Sequence, residues 1–133
     1  MLNPAQSVPA QFSPSYVLLY VEDPLASAAF YTELLGQQAV ELAPTFALFV
    51  LTNGLKFGLW ARAGVQPRAL AAGGGSELCL TVADRASVDA LHAQWAGRGV
   101  AIAQRPVALD FGYTFVALDR DGHRLRVFVR EGD

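Results

Sequence analysis

The chain repeats itself. The run from Ser15 to Asp23 (SYVLLYVED) lays onto the run from Ser76 to Asp84 (SELCLTVAD), 61 positions later. At that spacing Leu19 meets Leu80, Val21 meets Val82 and Asp23 meets Asp84, while Ala29 meets Ala90 and Gly36 meets Gly97. These identities are few, but they fall at structural punctuation marks, which is where a duplicated fold keeps them.

Each half opens with a β-type run that ends on an aspartate suited to cap a helix. Pro24 follows Asp23 at the first helical position, where its missing N–H costs nothing. The spacing predicts one helix from Pro24 to Leu35, stopped by Gly36, and a second from Arg85 to Ala96, stopped by Gly97. Phe30 and Leu34 on the first helix, and Leu91 and Trp95 on the second, should face a sheet. Strands are expected at Ala39–Leu42, Thr45–Leu51 and Leu55–Ala61, the last two joined by the hairpin signal Asn53-Gly54. In the second half they are expected at Ala101–Ala103, Tyr113–Leu118 and His123–Val129, with a loop from Pro106 to Gly112. The fold class is therefore α+β, with two βαβββ modules. The expected division is an N-terminal arm over 1–14, a first module over 15–62, a Gly-rich linker over 63–75 and a second module over 76–133, together making one domain.

Composition narrows the class. Of 133 residues, 53% are hydrophobic and 17% charged, enough apolar material for a real core. The formal charge of −2 gives no basic field to draw nucleic acid or an anionic membrane. No run reaches the length needed to span a bilayer, and Met1–Pro14 lacks the charged start and apolar centre of a signal peptide. The single cysteine, Cys79, excludes an internal disulfide and a cysteine-rich zinc site. It reads as an inert buried thiol. A cytoplasmic location is the expectation.

With these elements in place, two sets of residues become recognisable. They are Val21-Glu22-Asp23-Pro24 with Phe30-Tyr31, Leu34-Leu35 and Gly36, and Phe111-Gly112 followed by Asp119-Arg120-Asp121-Gly122-His123. In this order on a duplicated chain they resemble the vicinal oxygen chelate superfamily of glyoxalases, extradiol dioxygenases and bleomycin or fosfomycin resistance proteins. The resemblance covers about Ser15 to Arg130 and implies curled mixed sheets around a cleft. Catalytic members hold a divalent metal there on four side chains, two from each module. Carried onto this sequence, those positions are Tyr16, Gly58, Glu77 and Arg126. Glycine offers no side chain and arginine no lone pair, and a tyrosine is an uncommon ligand. One carboxylate does not hold a divalent ion against water. His92, mid-helix and read as surface, and His123, in a turn, do not restore the set. No metal, no cofactor and no catalytic residue is therefore expected, and the resemblance leaves a metal-dependent lyase, isomerase or dioxygenase as the alternative.

Strand alternation places further residues beside those four. Leu18 and Tyr20 join Tyr16, and Trp60 joins Gly58, leaving space beside an indole face. Cys79 and Thr81 join Glu77, and Phe128 joins Arg126. Phe111 and Tyr113 follow the loop at a place able to close over the cleft. Such a lining suits a planar ring system, with Arg126 available to a ligand carboxylate. The plainer readings stand beside this one: Trp60 as a core or interface residue, Tyr16 and Tyr20 as core tyrosines, Glu77 and Arg126 as a structural ion pair. The segments Phe57-Gly58-Leu59-Trp60 and Asp110-Phe111-Gly112-Tyr113 look most like the metal-free phenazine-antibiotic resistance members. That resemblance implies drug binding by a homodimer, with each cleft lined by both subunits.

Overall fold

The structure, a computed structural model, describes residues 12–132. Of the arm expected over residues 1–14, all but 12–14 lies outside the described residues. The first sheet contains β1 (Tyr16–Val21), β2 (Glu41–Ala43), β3 (Phe46–Val50) and β4 (Lys56–Ala61), in the order β1-β4-β3-β2. The second contains β5 (Glu77–Thr81), β6 (Ala101–Leu109), β7 (Gly112–Leu118) and β8 (Arg124–Arg130), in the equivalent order β5-β8-β7-β6. In each, the first and last strands pair in parallel and the remaining pairs are antiparallel. Helix α1 (Pro24–Leu35) and helix α2 (Arg85–Gly97) make the crossovers. The expected α+β class with two βαβββ halves is what the chain adopts.

The helix ends follow from local chemistry. The Asp23 carboxylate accepts from the N–H groups of Leu25 and Ala26 at 3.1 and 3.2 Å, and Pro24 begins the helix. Gly36 takes the left-handed conformation at φ 70° and its N–H bonds the Thr32 carbonyl, so α1 ends where expected. Asp84 caps α2 through the Ser87 N–H at 2.8 Å. Here the stop comes later than expected: Gly97 remains helical, and the left-handed residue is Gly99 at φ 84°. The Arg98 and Gly99 N–H groups still reach carbonyls of the last helical turn, which carries the chain past Gly97.

One strand differs more. Residues 101–109 form a single edge strand where a three-residue strand and a loop were expected. Pro106 is tolerated because this strand pairs only with β7, and because the register shifts on either side of Gln104 absorb the misfit. The connection to β7 shrinks to a turn at Asp110 and Phe111.

Alternation splits each sheet into two faces. The helix-covered faces share one core of Val21, Ala47, Phe49, Phe57 and Leu59 with Val88, Trp95, Phe115, Leu125 and Val127. On α1 the most buried aromatic is Tyr31, one residue beyond the expected Phe30, which is half-buried together with Leu34. His92 is not a surface residue: it is half-buried with its ring 5.4 Å from that of Phe115.

The halves are clasped by the β7–β8 turn. The Tyr31 hydroxyl donates to Asp119 Oδ2 at 2.7 Å, while Asp119 Oδ1 accepts from the backbone N–H groups of Asp121 and His123. Asp121 in turn accepts from the Glu22 N–H, and His123 Nε2 lies 3.0 Å from the Tyr20 carbonyl oxygen. The Asp119–His123 segment singled out in the sequence is thus a joint between the modules.

Candidate functional site

Each sheet leaves its other face open. On the first, Tyr16, Leu18 and Tyr20 stand beside Lys56, Gly58 and Trp60, then Val50, Leu48 and Phe46. On the second, Glu77, Cys79 and Thr81 stand beside Arg124, Arg126 and Phe128, then Leu118, Val116 and Thr114. The open faces are rich in uncovered apolar side chains: Tyr16 is 52% exposed, Leu18 41% and Phe111 38%.

On the first face Tyr20 and Trp60 meet edge to face, with ring centroids 6.2 Å apart. Tyr16 lies at the end of the strand with the Lys56 ammonium 5.3 Å from its ring. Gly58 does not leave the expected empty space. A Cβ built there would stand 2.7 Å from Leu18 Cδ2 and 2.9 Å from Phe46 Cζ. These two side chains close over the glycine, and the half-buried Trp60 is presented beside them.

On the second face Glu77 and Arg126 form a two-point ion pair. Arg126 Nε and Nη2 donate to the two carboxylate oxygens at 2.8 and 2.9 Å. Arg126 Nη1 donates to Thr114 Oγ1 at 3.2 Å, and its guanidinium lies 5.7 Å from the Phe111 ring centroid. Phe111 meets Phe128 edge to face at 5.6 Å. Hydrogen bonding from Arg126 holds the Glu77 carboxyl below its ordinary range, and the same bond raises the guanidinium. Cys79 is exposed on this face, where a buried thiol was expected. Its strand is an edge strand, and alternation points it away from the core. Partial burial of the sulfur and the nearby Glu77 push its pKa up, so it is a thiol and not a thiolate near neutrality.

The structure removes one residue from the expected lining. Tyr113 pairs with Val129 on the helix side of the sheet, where its hydroxyl donates to Asp89 Oδ1 at 2.8 Å and Arg85 lies over its ring. A turn of only two residues sets the register so that Tyr113 shares a face with Phe115, not with Arg126. The register sets two further neighbours: Leu18 sits directly beside Gly58, and Glu77 sits beside Arg124 while reaching along the strand to Arg126. Arg124 escaped the sequence reading although simple alternation from Arg126 points to it.

The four positions that a metal would require do not supply a donor set however the sheets are paired, since Gly58 has no side chain and Arg126 no lone pair. Tyr16 and Gly58 belong to one sheet, Glu77 and Arg126 to the other, and no hydrogen bond or ion pair joins the two groups among the described residues. Gly58 is covered, and Glu77 is committed to a guanidinium. Among the described residues no three His, Cys, Asp or Glu side chains come together as metal ligands. The residues present do not fit a divalent ion.

Paired βαβββ halves with open aromatic faces define the class of glyoxalase-like α+β proteins. The family model of the Glyoxalase/Bleomycin resistance protein/Dioxygenase superfamily matches residues 13–127, and the chain belongs to that superfamily. It is 27% identical over 118 residues to the phenazine antibiotic resistance protein EhpR of Enterobacter agglomerans, covering 86% of this chain and 90% of that one. The solution structure of protein ATC0852 from Agrobacterium tumefaciens is similar at a TM-score of 0.85 and 50% identity, covering 92% of this chain and all of that one. A glyoxalase-related enzyme from Fulvimarina pelagi shares the fold at a TM-score of 0.79 and 22% identity, with 90% of this chain and 88% of that one covered.

Proposed function

We propose that this protein binds a planar aromatic small molecule of the antibiotic type and sequesters it, without converting it. One observation carries the reading: the sole carboxylate among the four ligand-type positions is held in a two-point pair by Arg126, while aromatic side chains line the open faces beside it. A carboxylate so committed is a poor metal ligand and a poor general base. Tyr20, Trp60, Phe111 and Phe128 offer ring faces and edges to a flat molecule. The similarity to EhpR supports an antibiotic as the ligand.

The protein acts as a homodimer in the cytoplasm. Pairing two copies brings the first sheet of one against the second sheet of the other, which covers the exposed apolar residues of both open faces. Tyr16, Tyr20, Gly58 and Trp60 then share a cleft with Glu77, Phe111, Arg126 and Phe128. No helix among the described residues is long and apolar enough to cross a membrane.

The test is tryptophan fluorescence with added phenazines. Trp95 is buried in the core and Trp60 is on the open face, so quenching reports on Trp60. Saturable quenching is expected, and Trp60→Ala should weaken binding by more than ~1 kcal/mol. Absence of binding by any flat aromatic compound, or turnover of one, overturns the proposal.

A further inference from the structure

His123 follows Gly122 in the β7–β8 turn, and the equivalent place after Gly54 in the first module holds Leu55. A duplicated fold has thus put an imidazole where its other half keeps an apolar side chain. The backbone that carries this ring is fixed from both sides. The His123 N–H donates to Asp119 Oδ1 at 2.9 Å, and the His123 carbonyl oxygen accepts from the Asp119 N–H at 2.9 Å.

Two edges of the ring meet two different parts of the chain. Nε2 lies 3.0 Å from the Tyr20 carbonyl oxygen. A carbonyl only accepts, so Nε2 carries the proton and donates. β1 pairs only with β4, and the bond from the Lys56 N–H to the Ser15 carbonyl sets the odd-numbered residues of β1 on that paired edge. The Tyr20 carbonyl therefore faces the free edge, where His123 supplies its donor. The Nδ1 edge faces the linker. A Cβ built on Gly73 would stand 2.7 Å from Nδ1 and 2.9 Å from the Asp121 carbonyl oxygen, so only glycine lets the linker lie this close. Between the linker and the end of β1 lies a cavity of about 300 Å³, walled by Tyr20, Arg62, His123 and residues 73–76.

We propose that His123 is a positioning residue for the aromatic pair of the first sheet. By holding the Tyr20 carbonyl it sets the path of β1 where the Tyr20 ring meets Trp60 edge to face at 6.2 Å. Gly73 brings the linker against the other edge of the imidazole and keeps it from swinging away. This rests on the reading of the open face as a binding surface and adds how the second module governs the aromatic pair of the first.

The experiment compares His123→Gln, whose amide nitrogen replaces Nε2 as a donor, with His123→Leu, which fills the space without one. The readouts are tryptophan emission of the folded full chain, well below its melting temperature, and fluorescence titration with phenazine-1-carboxylate as the probe. Trp95 is buried in the core, so a change in emission reports on Trp60. His123→Leu should shift the emission and weaken binding roughly five- to tenfold, the effect of one lost hydrogen bond, and His123→Gln should bring affinity back to within about twofold. The emission should return with it. Imidazole 15N NMR of the wild type, which has only His92 and His123, needs no variant and decides alone if His123→Leu does not fold. A neutral His123 should carry its proton on Nε2. A His123→Leu variant with a lowered melting temperature but unchanged emission and affinity, a shift that His123→Gln does not rescue, or a proton on Nδ1 overturns the assignment and leaves His123 as a joint alone. Failure of the wild type to bind the probe overturns the binding reading instead, and emission and NMR still decide the role of His123.

Discussion

Replacing Tyr31 by phenylalanine isolates the joint between the modules. The Tyr31 ring is 1% exposed and packs edge to face on Phe57 at 4.8 Å and on Phe30 at 5.1 Å, contacts that phenylalanine keeps. What is lost is one hydroxyl donated at 2.7 Å to the carboxylate of Asp119, itself only 7% exposed. A hydrogen bond to a charged group contributes ~1.5–3 kcal/mol, and the carboxylate left behind keeps two backbone donors. A loss of about 2 kcal/mol is expected. With a melting entropy of ~2.1 cal/mol/K per residue, that lowers the melting temperature of a chain this size by about 7 °C. Calorimetry and urea titration measure it, and amide exchange at Asp121 and His123 should quicken in the same variant. A change below about 0.5 kcal/mol, or unaltered exchange at both amides, refutes the clasp. The alkaline limb provides a second check. Burial first, and then the Asp119 charge, push the Tyr31 phenol well above its ordinary value of 10.0. The unfolded chain therefore gives up this proton before the folded one does. Stability from Tyr31 is complete below about pH 10 and falls as the pH rises further, and Tyr31→Phe should remove that part of the alkaline loss.

Two further perturbations address the second sheet. At Gly112, φ is 152° and an added Cβ would collide with the Val129 carbonyl oxygen, a backbone atom that cannot swing aside. Gly112→Ala should cost more than about 3 kcal/mol by urea titration and split the β7–β8 ladder, whereas a loss within about 1 kcal/mol contradicts this register. Glu77 titrates below its usual value because Arg126 bonds it, so its contribution is present above about pH 4.5 and is lost as the pH falls. Solvent screening keeps the effect below ~1 kcal/mol, and Glu77→Gln should erase that acid-limb difference in urea midpoints while leaving the alkaline limb unchanged.

Much of the fold was legible because it rests on local, repeated signals. Asp23, Pro24 and Gly36 each act through neighbours within a few residues, and the duplication placed their counterparts. The second helix stop was misread because Gly97 and Gly99 both offer left-handed freedom, and only the hydrogen bonds from Arg98 and Gly99 choose between them. The length of β6 was hidden by Pro106, which argues against a strand everywhere except at an unpaired edge. At the site, the positions implied by the family resemblance put Glu77 with Arg126, and alternation added Tyr20 and Trp60, since period-two geometry is the same in any strand. Tyr113 was misplaced because it was assigned to the end of a loop, whereas the chain turns in two residues and Tyr113 already belongs to β7, on its helix side. The closure of Leu18 and Phe46 over Gly58 was invisible, since it depends on pairing across three strands. The Tyr31–Asp119 bond was equally hidden: 88 positions separate its partners, and no local pattern announces it.

Native mass spectrometry of the purified protein mixed with phenazine-1-carboxylate tests the central claim most directly, because one spectrum weighs the assembly, the ligand and any retained ion. The account predicts a dimer carrying intact ligand at one per chain, with no metal mass. A chain that retains a stoichiometric divalent cation, leaves the ligand unbound or returns it with an altered mass contradicts it.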